Sequence, residues 1–201
     1  AAAELAKGEY LMFCDHDDTL EPDALYEIVK AINDTDADVI YTDEDKVSMD
    51  GQHYFDPNFK PDFNLFRLRE NNYICHIFVV RKSLTDETGM LRSEFDGAQD
   101  FDFILRCCEK AKKITHIPKV LYHWRCHMDS TAADPSSKAY AYEAGRKAIR
   151  EHYQRMGIDA KVDMTERPGW YRSHIKVQGN PMVSIIIPNK DEKETLKKCL
   201  D

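Results

Sequence analysis

Short apolar runs that end on clusters of acidic residues are the feature of this sequence that most restricts its fold. The run YLMFC at residues 10–14 is followed by DHDD, and the run ADVIYT at 37–42 is followed by DED. Apolar runs of this length predict buried strands. Apolar residues at helical spacing follow at 21–34, 100–113 and 136–157. Strands that alternate with helices predict the α/β class.

Further extended regions are predicted elsewhere along the chain. The stretch YICHIFVV at 73–80 predicts a third strand, and residues 114–127 predict two short extended segments on either side of Pro118. Residues 159–164 predict one more short strand inside a region that otherwise resembles a linker. The prediction of the α/β class does not depend on these less clearly predicted elements.

Charge and cysteine content exclude several classes of protein. The 201 residues carry a formal net charge of −8, so the chain lacks the basic face that nucleic-acid binding requires. No apolar run is long enough to predict a membrane span. None of the six cysteines forms a CxxC pair, which favours reduced thiols in a cytoplasmic protein over a disulfide framework or a zinc site.

The acidic residues after the first strand predict a cation site. Ligands of open α/β sheets bind beyond the carboxyl ends of the strands. Asp15 and Asp17 are two residues apart, so in extended backbone their carboxylates point the same way. Oxygen ligands of this kind suit Mg²⁺ or Mn²⁺. Asp18 and Thr19 are better explained as N-cap residues of the helix that follows Pro22.

Two enzyme families resemble the letters FCDHDDTL. One is the haloacid-dehalogenase-type phosphatases, in which a strand ends in DxDx[TV]. That resemblance would make Asp15 the nucleophile, Asp17 the acid–base residue and Thr19 a phosphate contact. No strand precedes the segment DGAQDFD at 96–102, which would have to carry that family's metal loop. A phosphohydrolase therefore stays an alternative.

The other resemblance covers nearly the whole chain. Seven segments occur in the order seen in family 2 glycosyltransferases with the GT-A fold, in particular the bacterial multi-domain members linked to rhamnan, O-antigen and other cell-surface polysaccharides. These segments are AAAELAKGEYLMFCDHDDTLEPDAL, VIYTDEDKV, FKPDFN, NNYICHIFVVRKSL, FDGAQDFDFILRCCE, ITHIPKVLYHWRCHMDSTA and PMVSIIIPNKD. The resemblance implies a Rossmann-like nucleotide-diphospho-sugar transferase with a mixed sheet flanked by helices.

The family's roles for acidic residues carry over to three positions. The resemblance implies that Asp15 contacts the donor nucleotide or its metal, and that Asp17 coordinates the metal that bridges the diphosphate. Asp100 matches the general base that deprotonates the acceptor hydroxyl. Gln99 stands where many members have Glu, and because Gln cannot take a proton, the base role falls to Asp100 alone.

The segment YHWRCHMDS matches a part of the family that supplies a third metal ligand or a diphosphate contact. His127 is the preferred ligand, with His123 as the alternative, since imidazole suits Mn²⁺. Arg125 is a candidate phosphate contact and Ser130 a candidate hydroxyl donor. For Trp124, a position in the core is preferred over a role as a platform for sugar binding.

The resemblance also implies partners and a reaction. The full-length protein is expected to move a sugar from a nucleoside-diphosphate donor to a glycan or lipid-linked acceptor with inversion, using Mn²⁺ or Mg²⁺. Acidic residues 43–45 and Lys46 are assigned to acceptor or loop positioning. A cytoplasmic protein, peripherally associated with the inner face of the membrane, is the expected setting. A non-catalytic carbohydrate-binding fragment remains a second alternative.

The ends of the chain suggest a fragment of a longer protein. Residues 1–157 are expected to be the C-terminal portion of a GT-A domain without its opening strands, 158–180 a linker, and 181–201 the truncated start of a second GT-A domain. Such a piece is expected to bind donor poorly and to transfer little or no sugar by itself. The apolar run at 183–187 is expected to pair with an exposed sheet edge, in its own chain or in a second copy.

Overall fold

A computed structural model describes residues 2–126 and 139–201. Helices and strands alternate through most of the chain. They are α1 (Ala2–Leu5), β1 (Tyr10–Phe13), β2 (Thr19–Leu20), α2 (Ala24–Thr35), β3 (Val39–Val47), β4 (Tyr54–Asn58), α3 (Leu65–Leu68), β5 (Phe78–Arg81), α4 (Lys82–Thr88), a 3₁₀ turn (Ser93–Phe95), α5 (Gln99–Lys110), β6 (Ile114–Arg125), α6 (Ala139–Arg155), β7 (Ala160–Met164), β8 (Tyr171–Ile175) and α7 (Lys193–Leu200).

The main sheet is mixed. Its strand order is β1-β5-β3-β6-β2, and β4 pairs with the second half of β3, where β5 no longer reaches. β5 is antiparallel to both β1 and β3, and β3 is parallel to β6. β1, β3 and β6 therefore run in one direction, and their carboxyl ends face the same edge of the sheet.

The core lies on both faces of this sheet. Alternate residues of a strand point to opposite faces. Val39 and Tyr41 of β3 pack in the larger core, which includes residues of α5 and α6, whereas Ile40 packs in a smaller core with Ala24 and Ile28 of α2. Helices thus cover both faces, which confirms the predicted α/β class with a mixed sheet flanked by helices.

Three predicted elements differ in extent. The strand predicted at 73–80 is shorter, because β5 begins at Phe78 and Cys75 has a positive φ of 36°. The two segments expected around Pro118 form the single strand β6, in which a register shift opposite Thr42 and Asp43 accommodates the proline. α2 begins at Ala24.

Residues 160–175 were expected to belong to a linker but form a hairpin that packs on the domain. β7 and β8 pair antiparallel along their whole length. The Tyr171 hydroxyl donates to the carbonyl of Tyr142 in α6 at 2.9 Å, and the Tyr171 N–H donates to the carbonyl of Glu70 at 2.8 Å. Val162 is buried. The linker interpretation is wrong for this hairpin because its apolar side chains complete the larger core; the domain boundaries stay predictions.

The apolar run at 183–187 does not pair with the sheet. It forms no strand, and Ile186 is 91% exposed. The prediction of pairing within the chain is therefore wrong. The chain reaches this run from β8, which belongs to the two-stranded sheet, and Pro181 and Pro188 flank the run without a backbone N–H to donate. Pairing with a second copy stays a prediction.

None of the helices in residues 2–126 and 139–201 combines the length and the hydrophobicity that a bilayer crossing requires.

Candidate functional site

A cavity of about 250 Å³ lies where β1 ends beside the start of α5. Asp15 lines it from the turn after β1, and Asp100 lines it from the first turn of α5. Cys75 and His76, from the irregular segment before β5, line it as well. The structure therefore brings together two acidic residues that are 85 positions apart in the chain.

Asp15 presents an exposed carboxylate to this cavity. Its side chain is 59% exposed, and His76 Nε2 lies 3.8 Å from its Oδ2 atom. The Asp15 backbone N–H donates to the Tyr122 hydroxyl at 3.1 Å. The His76 ring is stacked on the Tyr122 ring, with centroids 4.9 Å apart. The backbone of Asp15 is thus fixed while its carboxylate remains available to a ligand.

Asp18 has a different role from the predicted helix cap. Its carboxylate accepts hydrogen bonds from the Tyr122 hydroxyl and, at 2.8 Å, from the Arg125 backbone N–H. β2 pairs Thr19 with His123, which brings Asp18 against β6 and leaves it six positions before Ala24, the first residue of α2. Asp18 therefore ties the acidic turn to β6, and the cap prediction is wrong.

Arg125 holds the same turn from the other side. Its Nε donates to the Asp17 carbonyl at 2.7 Å, and its Nη1 donates to the carbonyls of Ser48 and Met49 at 3.3 and 3.0 Å. The Asp17 carboxylate has His16 Nδ1 at 3.7 Å. Arg125 thus connects the turn after β1 to the loop after β3, and its predicted phosphate contact stays a prediction.

Asp100 holds its carboxylate in a hydrogen-bonded position at the cavity. Its Oδ2 accepts a hydrogen bond from Asn72 Nδ2 at 2.9 Å and lies 4.0 Å from Cys75 Sγ. Burial raises the pKa of the Asp100 carboxyl, although the Phe101 N–H, the nearby His76 and the Asn72 amide oppose the rise. A carboxylate with a raised pKa is a better proton acceptor.

Asp102 does not line the cavity. Its buried carboxylate accepts hydrogen bonds from Arg92 Nε at 3.0 Å and from Arg106 Nε at 2.9 Å. Burial alone would raise the pKa of Asp102, but these two guanidinium groups lower it. Arg106 also donates to the Gly89 carbonyl at 3.0 Å, so Asp102 anchors the loop that leads into α5.

The acidic residues of β3 are held by basic side chains inside the fold. Asp43 accepts the Lys60 backbone N–H and contacts His116 Nε2, both at 2.8 Å. Asp45 contacts His123 Nδ1 at 2.6 Å. Lys60 Nζ donates to Glu44 at 3.0 Å. Loop positioning, one of the two roles expected for this segment, accounts for these contacts.

His123, the alternative metal ligand, has both ring nitrogens engaged. Its Nδ1 meets Asp45 and its Nε2 lies 3.2 Å from Glu21 Oε1, and the side chain is buried. His123 is therefore a structural residue. His127 and Ser130 lie outside the described residues. Trp124, assigned to the core from the sequence, is 38% exposed instead, because its position in β6 points toward a surface cleft.

Comparisons with known proteins identify the chain. The family model for glycosyl transferase family 2 matches residues 1–89, which include β1, the acidic turn and β3. The O-antigen biosynthesis protein RfbC of Myxococcus xanthus is 38% identical over 97% of this chain and 15% of its own length. The chain belongs to glycosyl transferase family 2. An uncharacterized protein of Sinorhizobium fredii, y4gI, is 44% identical over the whole chain and 22% of its own length.

A solved structure shows the same fold. Staphylococcus aureus TarS 1-349, in complex with UDP-GlcNAc, superposes with a TM-score of 0.54 at 20% identity, over 75% of this chain and 44% of TarS 1-349. The chain thus spans less than a quarter of the length of these two curated relatives and has the GT-A-type fold that the resemblance implied.

The candidate metal ligands of this family 2 chain fit a divalent cation whose remaining ligands are supplied by the substrate. Within residues 2–126 and 139–201, no three side chains of His, Cys, Asp or Glu converge as a metal cage. Two carboxylates, Asp15 and Asp17, follow β1 at the carboxyl edge of the sheet. Mg²⁺ and related ions are commonly bound by one or two carboxylates and substrate phosphates. These residues therefore fit Mg²⁺ or Mn²⁺ in its substrate-bound form.

Lys60 is a site residue that sequence reasoning did not single out. Its side chain is fully buried, and its Nζ donates to the carbonyls of Ile74, at 2.7 Å, and His76, as well as to Glu44. These contacts fix the irregular segment that carries Asn72, Cys75 and His76 to the cavity. No local pattern in FKPDF marks this lysine, because lysine is rarely buried unless it is paired and its partners lie elsewhere in the chain.

Proposed function

We propose that this chain supplies the catalytic half of a glycosyltransferase that moves a sugar from a nucleoside-diphosphate donor to a glycan or lipid-linked acceptor in cell-surface polysaccharide synthesis. One observation carries the proposal: Asp15 and Asp100 line the same cavity, one with an exposed carboxylate and the other with a raised pKa. Glycosyl transfer needs a site for the sugar donor and a proton acceptor that lie within reach of each other.

The substrate classes are supported by related proteins. TarS 1-349, which shares the fold, was crystallised with UDP-GlcNAc. RfbC is named for O-antigen biosynthesis. We extend both classes to this chain: a nucleotide sugar as donor and a surface polysaccharide, or its lipid-linked precursor, as product. A hexosyl or deoxyhexosyl group is the transferred unit.

In the proposed reaction Asp100 is the base. The acceptor hydroxyl oxygen attacks the anomeric carbon of the donor, and the bond from that carbon to the phosphate oxygen breaks. The hydroxyl proton passes to the Asp100 carboxylate, and the nucleoside diphosphate leaves with the electron pair. A single displacement inverts the anomeric configuration. Asn72, which donates to Asp100 Oδ2, holds the carboxylate in place.

Asp15 and Asp17 would hold Mn²⁺ or Mg²⁺, with His127 as the proposed third ligand. The ion, when bound, would stabilise the negative charge that develops on the leaving diphosphate. Tyr122, through the backbone N–H of Asp15, and Arg125, through the Asp17 carbonyl, fix the turn that carries both carboxylates. Arg125 and Ser130 are proposed phosphate contacts.

A nucleotide-binding and turnover experiment tests this function. Calorimetry of the full-length protein with UDP, dTDP and GDP, with and without Mn²⁺, should show metal-dependent binding that Asp17→Ala weakens at least about tenfold. Sugar transfer, measured over a panel of nucleotide sugars, should fall by about 10²–10⁴-fold in Asp100→Asn while nucleotide binding is kept.

Other outcomes would identify the alternatives. Mg²⁺-dependent release of phosphate from p-nitrophenyl phosphate, lost in Asp15→Asn, would establish the phosphohydrolase. Glycan binding that survives both Asp15→Asn and Asp17→Ala, without any nucleotide binding, would establish a carbohydrate-binding module. Either result would contradict the transferase proposal.

A further inference from the structure

A second concavity, of about 450 Å³, lies beside the Asp15–Asp100 cavity. We call it the tryptophan cleft; β3, β4, α3, β6 and the turn between β7 and β8 form its walls. Trp124 lines it, and the Trp124 ring contacts the His76 ring with centroids 6.3 Å apart. Since His76 lines the Asp15–Asp100 cavity, this pair of contacting rings lies between the two concavities.

Each carboxylate of the tryptophan cleft is bound to a basic side chain of the fold. Glu44 is paired with Lys60 at 3.0 Å, and Asp45 with His123 at 2.6 Å. Asp56 is paired with Lys46. A carboxylate that already has an internal cation adds little negative potential to the cleft. The acidic residues therefore do not make this surface a cation site.

The cationic groups of the cleft lack comparable partners. Arg67 and Arg167 place their guanidinium carbons 4.2 and 4.5 Å from the Trp170 ring centroid, so both groups are stacked on one indole. The carboxylate nearest to Arg67 is Glu70, at 3.7 Å in an exposed pair, and in the described part of the chain Arg167 has no carboxylate within 4.0 Å. Stacking orients the guanidinium groups without neutralising their charge.

The rest of the cleft suits a carbohydrate. Trp124 exposes more than a third of its surface, which is unusual for the largest aromatic side chain and provides an apolar platform. The amide side chains of Asn58 and Asn71 line the cleft and provide donors and acceptors for hydroxyl groups. The cleft thus combines an aromatic surface, amide groups and two oriented cations.

We propose that the tryptophan cleft binds an acidic sugar unit of the acceptor glycan, whose carboxylate or phosphate is held by Arg67 and Arg167. The inference rests on the proposed glycosyl transfer and names the class of acceptor. Forked guanidinium donors match the planar geometry of a carboxylate and the oxygens of a phosphate. Because the cleft adjoins the cavity of Asp100, the bound unit leaves a neighbouring hydroxyl near that base.

The test is a binding comparison with three matched probes. They are a uronate-containing hexasaccharide, the same hexasaccharide with its carboxyl groups reduced to alcohols, and a phosphodiester-linked glycan oligomer of similar length. The protein should bind at least one acidic probe about tenfold or more tightly than the neutral one. The uronate and phosphodiester arms distinguish the two sources of the anion, and tight binding in either arm supports the proposal.

Variants locate the binding. Arg67→Gln with Arg167→Gln should remove most of the preference for the acidic probe, and Arg167→Gln alone, on an exposed turn, guards against loss of folding. The matched control is Arg146→Gln, whose pair with Glu143 lies on the exposed face of α6. Equal affinity for acidic and neutral probes, or unchanged affinity in the arginine variants, would overturn the proposal.

The acceptor proposal and the proposed function fail separately. If the cleft is wrongly assigned, nucleoside diphosphate binding with Mn²⁺ and its loss in Asp17→Ala are still observed. If glycosyl transfer is wrongly assigned, nucleotide binding is absent whichever glycan is bound. Binding of nucleoside diphosphate should remain unchanged in the Arg67→Gln and Arg167→Gln variants.

Discussion

Two acidic segments, one in the turn after β1 and the other in the second half of β3, have opposite environments in this fold. In the turn after β1, Asp15 leaves its carboxylate 59% exposed at the cavity. In the second half of β3, Asp43, Glu44 and Asp45 are all bound by a histidine or lysine from elsewhere in the chain. Composition is similar in the two segments, so the difference is the supply of internal cations.

This difference separates a ligand site from a structural one. A carboxylate that is paired with a buried cation can bind a substrate only if that ion pair breaks. In the turn after β1, the Asp18 carboxylate is held by the Tyr122 hydroxyl and the Arg125 backbone N–H. The Asp15 carboxylate is exposed at the cavity, where it is available to a cation or phosphate.

The largest effect on stability is expected for Lys60→Met. Removing the ammonium group leaves Glu44 and the carbonyls of Ile74 and His76 without their buried donor. Loss of one partner of a buried pair costs about 3–5 kcal/mol of the free energy of unfolding. Urea denaturation measures it. Lys46→Met is the control: its pair with Asp56 is exposed, and a loss of at most about 1 kcal/mol is expected.

If both lysine variants lose the same free energy of unfolding, the buried Lys60 contacts stabilise the fold no more than the exposed Lys46 pair does. That result would contradict the difference between the two acidic segments.

A moderate effect is expected for Tyr122→Phe. The hydroxyl donates to the Asp18 carboxylate and accepts the Asp15 N–H, so its removal costs about 1.5–3 kcal/mol. Tyr54→Phe, at an exposed position, should stay within about 0.5 kcal/mol. Thermal denaturation separates the two. Equal melting temperatures would show that Asp18 does not tie the turn to β6.

The pH dependence of Asp100→Asn sharpens the comparison further. Burial raises the pKa of Asp100 in the folded state above its unfolded value. Between these two values the folded state binds more protons, so stability falls as pH rises through that window. Asn at this position does not ionise. The variant should therefore gain stability relative to the native chain as pH rises from about 4 toward neutrality, in urea denaturation at each pH.

Asp102→Asn is the control of opposite sign. Arg92 and Arg106 lower the pKa of Asp102, so the native carboxylate stabilises the fold above its unfolded pKa and this contribution is lost as pH falls through the folded pKa. Asp102→Asn should lose stability at neutral pH. The same sign for both variants would contradict the placement of Asp100 at a functional cavity.

The smallest effect on stability is expected for Asp15→Asn. An exposed carboxylate with one histidine at 3.8 Å contributes within about 0.5 kcal/mol. Metal-dependent binding of nucleoside diphosphate should nevertheless fall at least about tenfold in calorimetry. A large loss of stability, or intact nucleotide binding, would place Asp15 with the structural acids of β3.

Local patterns predicted much of this fold and part of the site. The apolar run before Asp15 and the helical spacing around Phe103 correspond to β1 and α5. Local patterns failed for residues whose environment depends on distant parts of the chain. Asp18 is bound by Tyr122 and Arg125 of β6. Trp124 lines a surface cleft. A short stretch of sequence does not contain these distant partners, so neither position could be predicted from it.

The sequence by itself determined the α/β class, the strand that ends at an acidic turn and the membership of family 2, since these depend on periodicity and on motifs that are contiguous in the chain. Only the tertiary structure decided which carboxylates remain open to ligands. That outcome depends on whether a cation from a distant element reaches each one: Lys60, His116 and His123 reach the acids of β3, whereas Asp15 stays exposed at the cavity of Asp100.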